Sequence, residues 1–157
     1  FMRREISLKS SGMPLKIVGQ GPDRPHLEAH ARGGDVQFLG FQPDEMVRDL
    51  YRGAEAVLLP GEEDFGIVPV EAQACGRPVV ALSQGGTRET VLDRVTGVLV
   101  SQSTPEAFAD ALGLLSGMAF DPMVARAHAE AFSRQRFAAE MASLIDQTRE
   151  APAGARW

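Results

Sequence analysis

Residues 56–82 read AVLLPGEEDFGIVPVEAQACGRPVVAL, and the punctuation of this stretch decides the fold. Ala56, Val57, Leu58 and Leu59 form a short apolar run of strand length, and residues 60–66 are too polar and too rich in Gly and acids to extend it. Residues 67–75 suit a helix: Pro69 falls in the first turn, where no helical hydrogen bond is lost, and Gly76 stands just past the end. Residues 78–82 return to an apolar, β-branched run. Two strands joined through one helix need a crossover, so they pair in parallel and the connection is right-handed.

The same alternation continues in both directions. Upstream, residues 15–18 read as a strand ended by Gly19-Gln20-Gly21-Pro22, a helix fits residues 23–32, and residues 36–39 form a strand before Gly40-Phe41-Gln42-Pro43. Asp44 is expected to cap a helix that runs through Arg52 and stops at Gly53. Downstream, residues 83–87 form a Gly-rich loop, 88–92 a short helix and 97–100 a strand. Thr104-Pro105-Glu106 and Asp121-Pro122 each place a capping oxygen before a Pro at the first helical position. Ser133 opens a last helix to residue 150, and residues 151–157 are read as a disordered tail. The pattern predicts one α/β domain over residues 1–150, a doubly wound, mostly parallel sheet. Such sheets bind ligands beyond the carboxyl ends of their strands, so loops 19–22, 40–43, 60–66 and 83–87 are the informative ones.

Composition narrows the function. The chain has 157 residues, and its 16 basic against 21 acidic residues leave a net charge of −5, which supplies no excess to neutralise nucleic-acid phosphates. One Cys excludes a disulfide framework and fits a reducing, cytoplasmic setting. Apolar runs are only a few residues long, and the start does not lead into a signal-peptide core.

The chemistry concentrates at Glu62, Glu63 and Asp64, which crowd the loop before a helix N-terminus whose amides suit phosphate. Glu71 interrupts a helix that is otherwise apolar or small apart from Gln73, and burying it there is costly unless donors reach it. Lying one turn after Ile67, it is expected to point back toward Glu63, because helical side chains lean toward the N-terminus. Plainer readings compete: a solvated acidic loop favoured by the helix dipole, or an ion pair of Glu71 with Arg77 or Arg88. The Glu-x7-Glu spacing alone proves little. Gly19-Gln20-Gly21 fails as a dinucleotide fingerprint because Arg24 holds the third Gly position and no acid lies about 20 residues on. Cys75 reads as a small helix-end residue, and His26, His30 and His128 make no metal set. Gly85-Gly86 admits phosphate or sugar, or is simply a turn.

In context the stretch is specific. Glu63-x7-Glu71 with Phe65-Gly66-Ile67 between, followed by Ala72-Gln73-Ala74-Cys75-Gly76-Arg77-Pro78, resembles the retaining glycosyltransferases of the GT-B fold, family 4. Flanking segments resemble the same family in the same order: residues 15–22, 36–41, 51–56, 85–89 and 96–100. The likeness is close over residues 15–100, looser in the last two helices and poor over residues 1–12. It implies a Rossmann-like domain, the C-terminal half of such an enzyme, that holds a nucleotide-diphosphate sugar. By the same resemblance Glu71 accepts from the ribose hydroxyls and Glu63, the catalytic candidate, holds the transferred sugar. Phe65, Gly66 and Ile67 present backbone N–H groups, Gly19 lies in the loop after the first strand, and Phe41-Gln42 sits beside the base.

Two departures qualify the expectation. The family's diphosphate-clamping Arg and Lys precede the Gly-x-Gly-Pro segment, and neither Lys9 nor Lys16 stands in a matching context. The acceptor-binding N-terminal domain is expected to be the missing partner, and any membrane association would run through it. The sequence thus reads as a fragment inactive alone and without a cofactor, and the resemblance implies independence from metal, with which the lack of an Asp-x-Asp agrees. Rival readings are a nucleotide-sugar epimerase of the same fold and a non-catalytic flavodoxin-like binding module. The donor base, sugar and acceptor are not legible.

Overall fold

The computed structural model describes residues 13–150; readings that fall on residues 1–12, Lys9 among them, and on the 151–157 tail lie outside the described residues. The elements alternate as the punctuation predicts. They are β1 (Leu15–Val18), α1 (Arg24–His30), β2 (Val36–Gly40), α2 (Asp44–Gly53), β3 (Val57–Leu59), α3 (Ile67–Ala74) and β4 (Val79–Leu82). There follow α4 (Thr87–Thr90), β5 (Gly97–Val100), α5 (Pro105–Ser116), α6 (Pro122–Glu130) and α7 (Arg134–Glu150). Every strand pair is parallel, but the strands form two ladders, β1-β2 and β3-β4-β5, where one sheet was expected.

The three-stranded ladder holds the core. All four residues of β4 are buried, and their alternation splits the core into two layers. Val80 and Leu82 pack with Val98, Val100, Phe108 and Ala111 on the α5 side. Val79 and Ala81 pack with Ala72 and Val91 on the other, joined by the partly buried Tyr51, Val57 and Leu59. The β1-β2 ladder contributes no buried apolar side chain, and α1 buries no residue. Its strands shift register after Ile17, so that Val18 pairs with Gly40 and the Gly19 amide donates to the Gly40 carbonyl at 2.8 Å. Arg24 lies over the Phe38 ring, 6.0 Å from its centroid, and donates to Glu28 at 2.7 Å. A side chain therefore covers β2 at the position where a dinucleotide motif carries Gly.

The caps follow local chemistry with one correction. Thr104 accepts from the Ala107 amide, Asp121 from Met123 at 2.8 Å, and Ser133 from Arg136. Asp44, expected to cap α2, is instead its first helical residue; Pro43, held extended at φ −67°, is the cap, and Asp44 acts through the helix dipole. Gly53 ends α2 from inside, with Ala54 beyond it. Phe108 is fully buried at the centre of the α5 layer. Phe108→Ala is expected to cost about 3–5 kcal/mol, read as a lower urea midpoint at unchanged slope.

Candidate functional site

The carboxyl ends of β3 and β4 are stitched together by their following loops. Ser103 Oγ holds the first loop at its start by donating to the Pro60 carbonyl at 2.6 Å. Glu63 then pairs with Gly85 in an isolated parallel bridge, and the Gly86 amide donates to the Glu63 carbonyl at 2.7 Å. The fit is closer than any side chain permits: a Cβ on Gly86 would lie 2.1 Å from the Phe65 carbonyl oxygen. Gly85-Gly86 is thus neither an open phosphate cradle nor a bare turn. The glycine pair is the bed on which residues 63–65 lie.

Gly66 then turns the chain into α3 with φ +87°, a conformation Gly enters without penalty, and a Cβ there would meet Thr90 Oγ1 at 2.7 Å. Beneath this turn buried polar side chains donate to backbone carbonyls, while Gln73 Oε1 is buried without a hydrogen-bond partner among the described residues. Thr87 Oγ1 donates to the Leu82 and Gln84 carbonyls, Thr90 Oγ1 to Gly86 at 2.9 Å, and Gln73 Nε2 to Pro69 at 3.0 Å and Thr90 at 2.7 Å. The mouth of α3 is different. No side chain caps it, and the amides of Phe65, Gly66 and Ile67 find no acceptor among the described residues. These three amides follow Glu63 by two to four residues, at a helix end of the kind whose unpaired donors suit an anion.

Glu71 is exposed, so the expected burial cost does not arise. The buried polar residue of α3 is Gln73, and the helical period explains why: Pro69, Ala72 and Gln73 share the inner face, with Glu71 between them on the outer one. No Arg among the described residues pairs with Glu71; Arg77 donates instead to the Arg52 carbonyl. The partner is Tyr51 of α2, whose hydroxyl donates to Glu71 Oε2 at 3.1 Å. Burial, and then the charge of Glu71 and the hydrogen bond to it, push the Tyr51 hydroxyl far above its ordinary range. It stays protonated, orients one carboxylate oxygen and leaves the other lone pairs of Glu71 free. Tyr51 was not singled out from sequence, although Val47, Leu50 and Tyr51 mark the half-buried face of α2.

The remaining candidates gather at the other ladder. Gly19 is bonded to Gly40, Gln42 Nε2 is spent on the Leu39 carbonyl at 2.7 Å, and Phe41 is 77% exposed. Cys75 is a half-buried free thiol. His26 and His30 lie on an exposed face with ring centroids 4.3 Å apart. Among the described residues no group of three or more His, Cys, Asp or Glu could hold a metal ion, and no helix is long and apolar enough to cross a membrane.

Comparison with known proteins bears on the family and the fold. The family described as glycosyl transferases group 1 matches residues 3–116. That match begins within the segment expected to fit poorly and runs to the end of α5. A D-inositol 3-phosphate glycosyltransferase from Xylanimonas cellulosilytica is 46% identical over 110 residues, which are 64% of this chain and 26% of that protein. The chain therefore spans about a quarter of that curated relative. Among solved structures, sucrose-phosphate synthase from Thermosynechococcus elongatus matches with TM-score 0.74 and 30% identity, over 88% of this chain and 39% of that one. Anabaena HepE in complex with UDP and glucose matches with TM-score 0.65 and 26% identity, over 88% and 40%.

The Tyr51–Glu71 bond gives a testable pH dependence. A hydroxyl held protonated in the native state stabilises the fold fully below the unfolded tyrosine value of about 10, and that stability is lost as pH rises beyond it. Tyr51→Phe is expected to cost about 1 kcal/mol at pH 8. The gap between variant and wild type should narrow at pH 10.5–11 in urea unfolding. A gap that stays constant would remove the bond from the account.

Proposed function

The chain belongs to the group 1 glycosyl transferases, and from that premise we propose that it binds the nucleotide-diphosphate sugar donor of a retaining transferase. The observation that carries the reading is the run of unpaired amides at Phe65, Gly66 and Ile67 beside Glu63. A departing diphosphate gathers negative charge, and fixed N–H groups at a helix N-terminus stabilise that charge without reorganising. Glu63 accepts from hydroxyls of the transferred sugar and so orients the anomeric carbon. Glu71, held by Tyr51, offers its free oxygen to the vicinal ribose hydroxyls. Phe41, exposed at the end of β2, offers an apolar surface to the base. The relatives named above are transferases and a synthase, which favours transfer over epimerisation. The HepE complexes hold UDP, UDP-glucose, or UDP with glucose, which makes a uridine nucleotide the first donor to try. A second domain that supplies the acceptor, a cytoplasmic setting and independence from metal complete the reading.

The two glutamates separate in a titration of UDP against UDP-glucose, with GDP and ADP sugars alongside. Glu71→Gln is expected to weaken bare UDP about tenfold or more, since a hydrogen bond to a charged group is worth roughly 1.5–3 kcal/mol. Glu63→Gln should leave bare UDP nearly unchanged and weaken only the sugar-bearing donor. Equal losses of UDP in both variants would overturn the division. A wild-type chain that binds no sugar nucleotide would favour the non-catalytic module. EDTA is expected to leave donor affinity unchanged, and a large drop would show that an ion takes part.

A further inference from the structure

The amides that carry the proposed site are held from below by Gly86, but the ring of Phe65 leaves that bed and meets the C-terminal helices. Its edge-to-face partner is Phe132, with ring centroids 6.3 Å apart at 79°. Phe132 meets the imidazole of His128 in the same manner, at 5.4 Å and 81°. Phe132 stands in the three-residue junction between α6 and α7, where its own amide donates to the Ala129 carbonyl and the Ser133 hydroxyl caps α7. Helix α6 lies along α3, burying Ala125 and Ala129, with Arg126 against Gly76 at the far end of α3. One rigid element therefore spans α3 from its end to the loop at its mouth.

We infer that Phe132 is a positioning residue that fixes the Phe65 ring and, through it, the direction of the Phe65–Ile67 amides. Three observations separate this contact from ordinary core packing. Phe65 remains 55% exposed and belongs to neither buried cluster, so the core does not depend on it. Phe65 lies between the backbone contact at Gly86 and the left-handed turn at Gly66, so a contact to its side chain adds a restraint to the same peptide units. Phe132 also lies beyond the segment matched by the family, which ends at residue 116. An edge-to-face pair prefers one geometry over others, which lets it set a direction as well as exclude water. The ligand part of the inference rests on the donor reading above; the loop-ordering part does not.

The test compares the full chain with Phe132→Ala, Phe132→Tyr, Phe65→Ala and the Phe65→Ala/Phe132→Ala double variant. Without ligand, NMR hydrogen exchange at Gly86, whose amide is held by the Glu63 carbonyl, should quicken three- to tenfold in Phe132→Ala. Exchange at Val80 in β4 should not change, and Phe132→Tyr should restore the Gly86 rate. In calorimetry with UDP-glucose, Phe132→Ala should weaken binding three- to tenfold. The same change made in Phe65→Ala should add nothing, because coupled residues are not additive. An unchanged Gly86 rate, or a full loss on top of Phe65→Ala, overturns the inference. Should Phe132→Ala fail to fold, Phe132→Leu, which keeps volume and removes the ring, gives the same comparison. If wild type binds no UDP-glucose the donor reading fails, and the exchange result still decides the role of Phe132.

Discussion

The backbone of residues 63–65 lies directly on Gly85-Gly86, and the rest of the site depends on that approach. The contact leaves no room for a single Cβ: one on Gly85 would lie 2.2 Å from the Glu63 carbonyl oxygen. It joins the loop after β3 to the loop after β4, and so fixes where α3 begins relative to the parallel ladder. The buried hydroxyls of Thr87 and Thr90 and the amide of Gln73 then absorb the carbonyls that this sharp joining exposes. Buried polar groups are costly when unpaired, so a site floor made of satisfied threonines is stiff. The donors left over are the amides of Phe65, Gly66 and Ile67. A packed interior below and unpaired amides above follow from one steric fact.

Much of the fold was legible because it depends on local punctuation. Strands at Leu15–Val18 and Gly97–Val100 lie where apolar runs between breakers put them, and Thr104, Asp121 and Ser133 cap as their side chains require. The Asp44 start was misplaced by one residue, because side-chain chemistry favours Asp44 as the cap whereas the extended backbone at Pro43 makes Asp44 already helical. Two separate ladders were not legible, since strand adjacency is settled by packing between elements distant in sequence.

The site divides the same way. Loop 60–66 and the acids on it were visible because position after a parallel strand is a rule of topology. The surroundings of Glu71 were misjudged by weighing the composition of α3 without its period, which puts Pro69, Ala72 and Gln73 on the inner face and Glu71 on the outer one. Tyr51 and Phe132 were missed for a different reason. Each acts on a residue 20 or more positions away, through α2 and α6 respectively, and no spacing rule connects such pairs.

An acidic loop repels a diphosphate, so donors that would hold one there must resist neutralisation by the neighbouring acids. Glu62, Glu63 and Asp64 form no ion pair among the described residues, and the whole chain carries a net charge of −5. Side-chain cations at such a site would be drawn to these carboxylates. Backbone amides are not mobile and cannot collapse onto them. Donors fixed by the Gly86 contact therefore keep their direction beside three acids, where a flexible Lys would not. On the proposed reading the acids in turn repel the departing phosphates and attract the hydroxyls of the sugar, so the loop sorts the two ends of the donor. Such a division favours orientation over tight binding, and orientation of the anomeric carbon is what a transfer step needs.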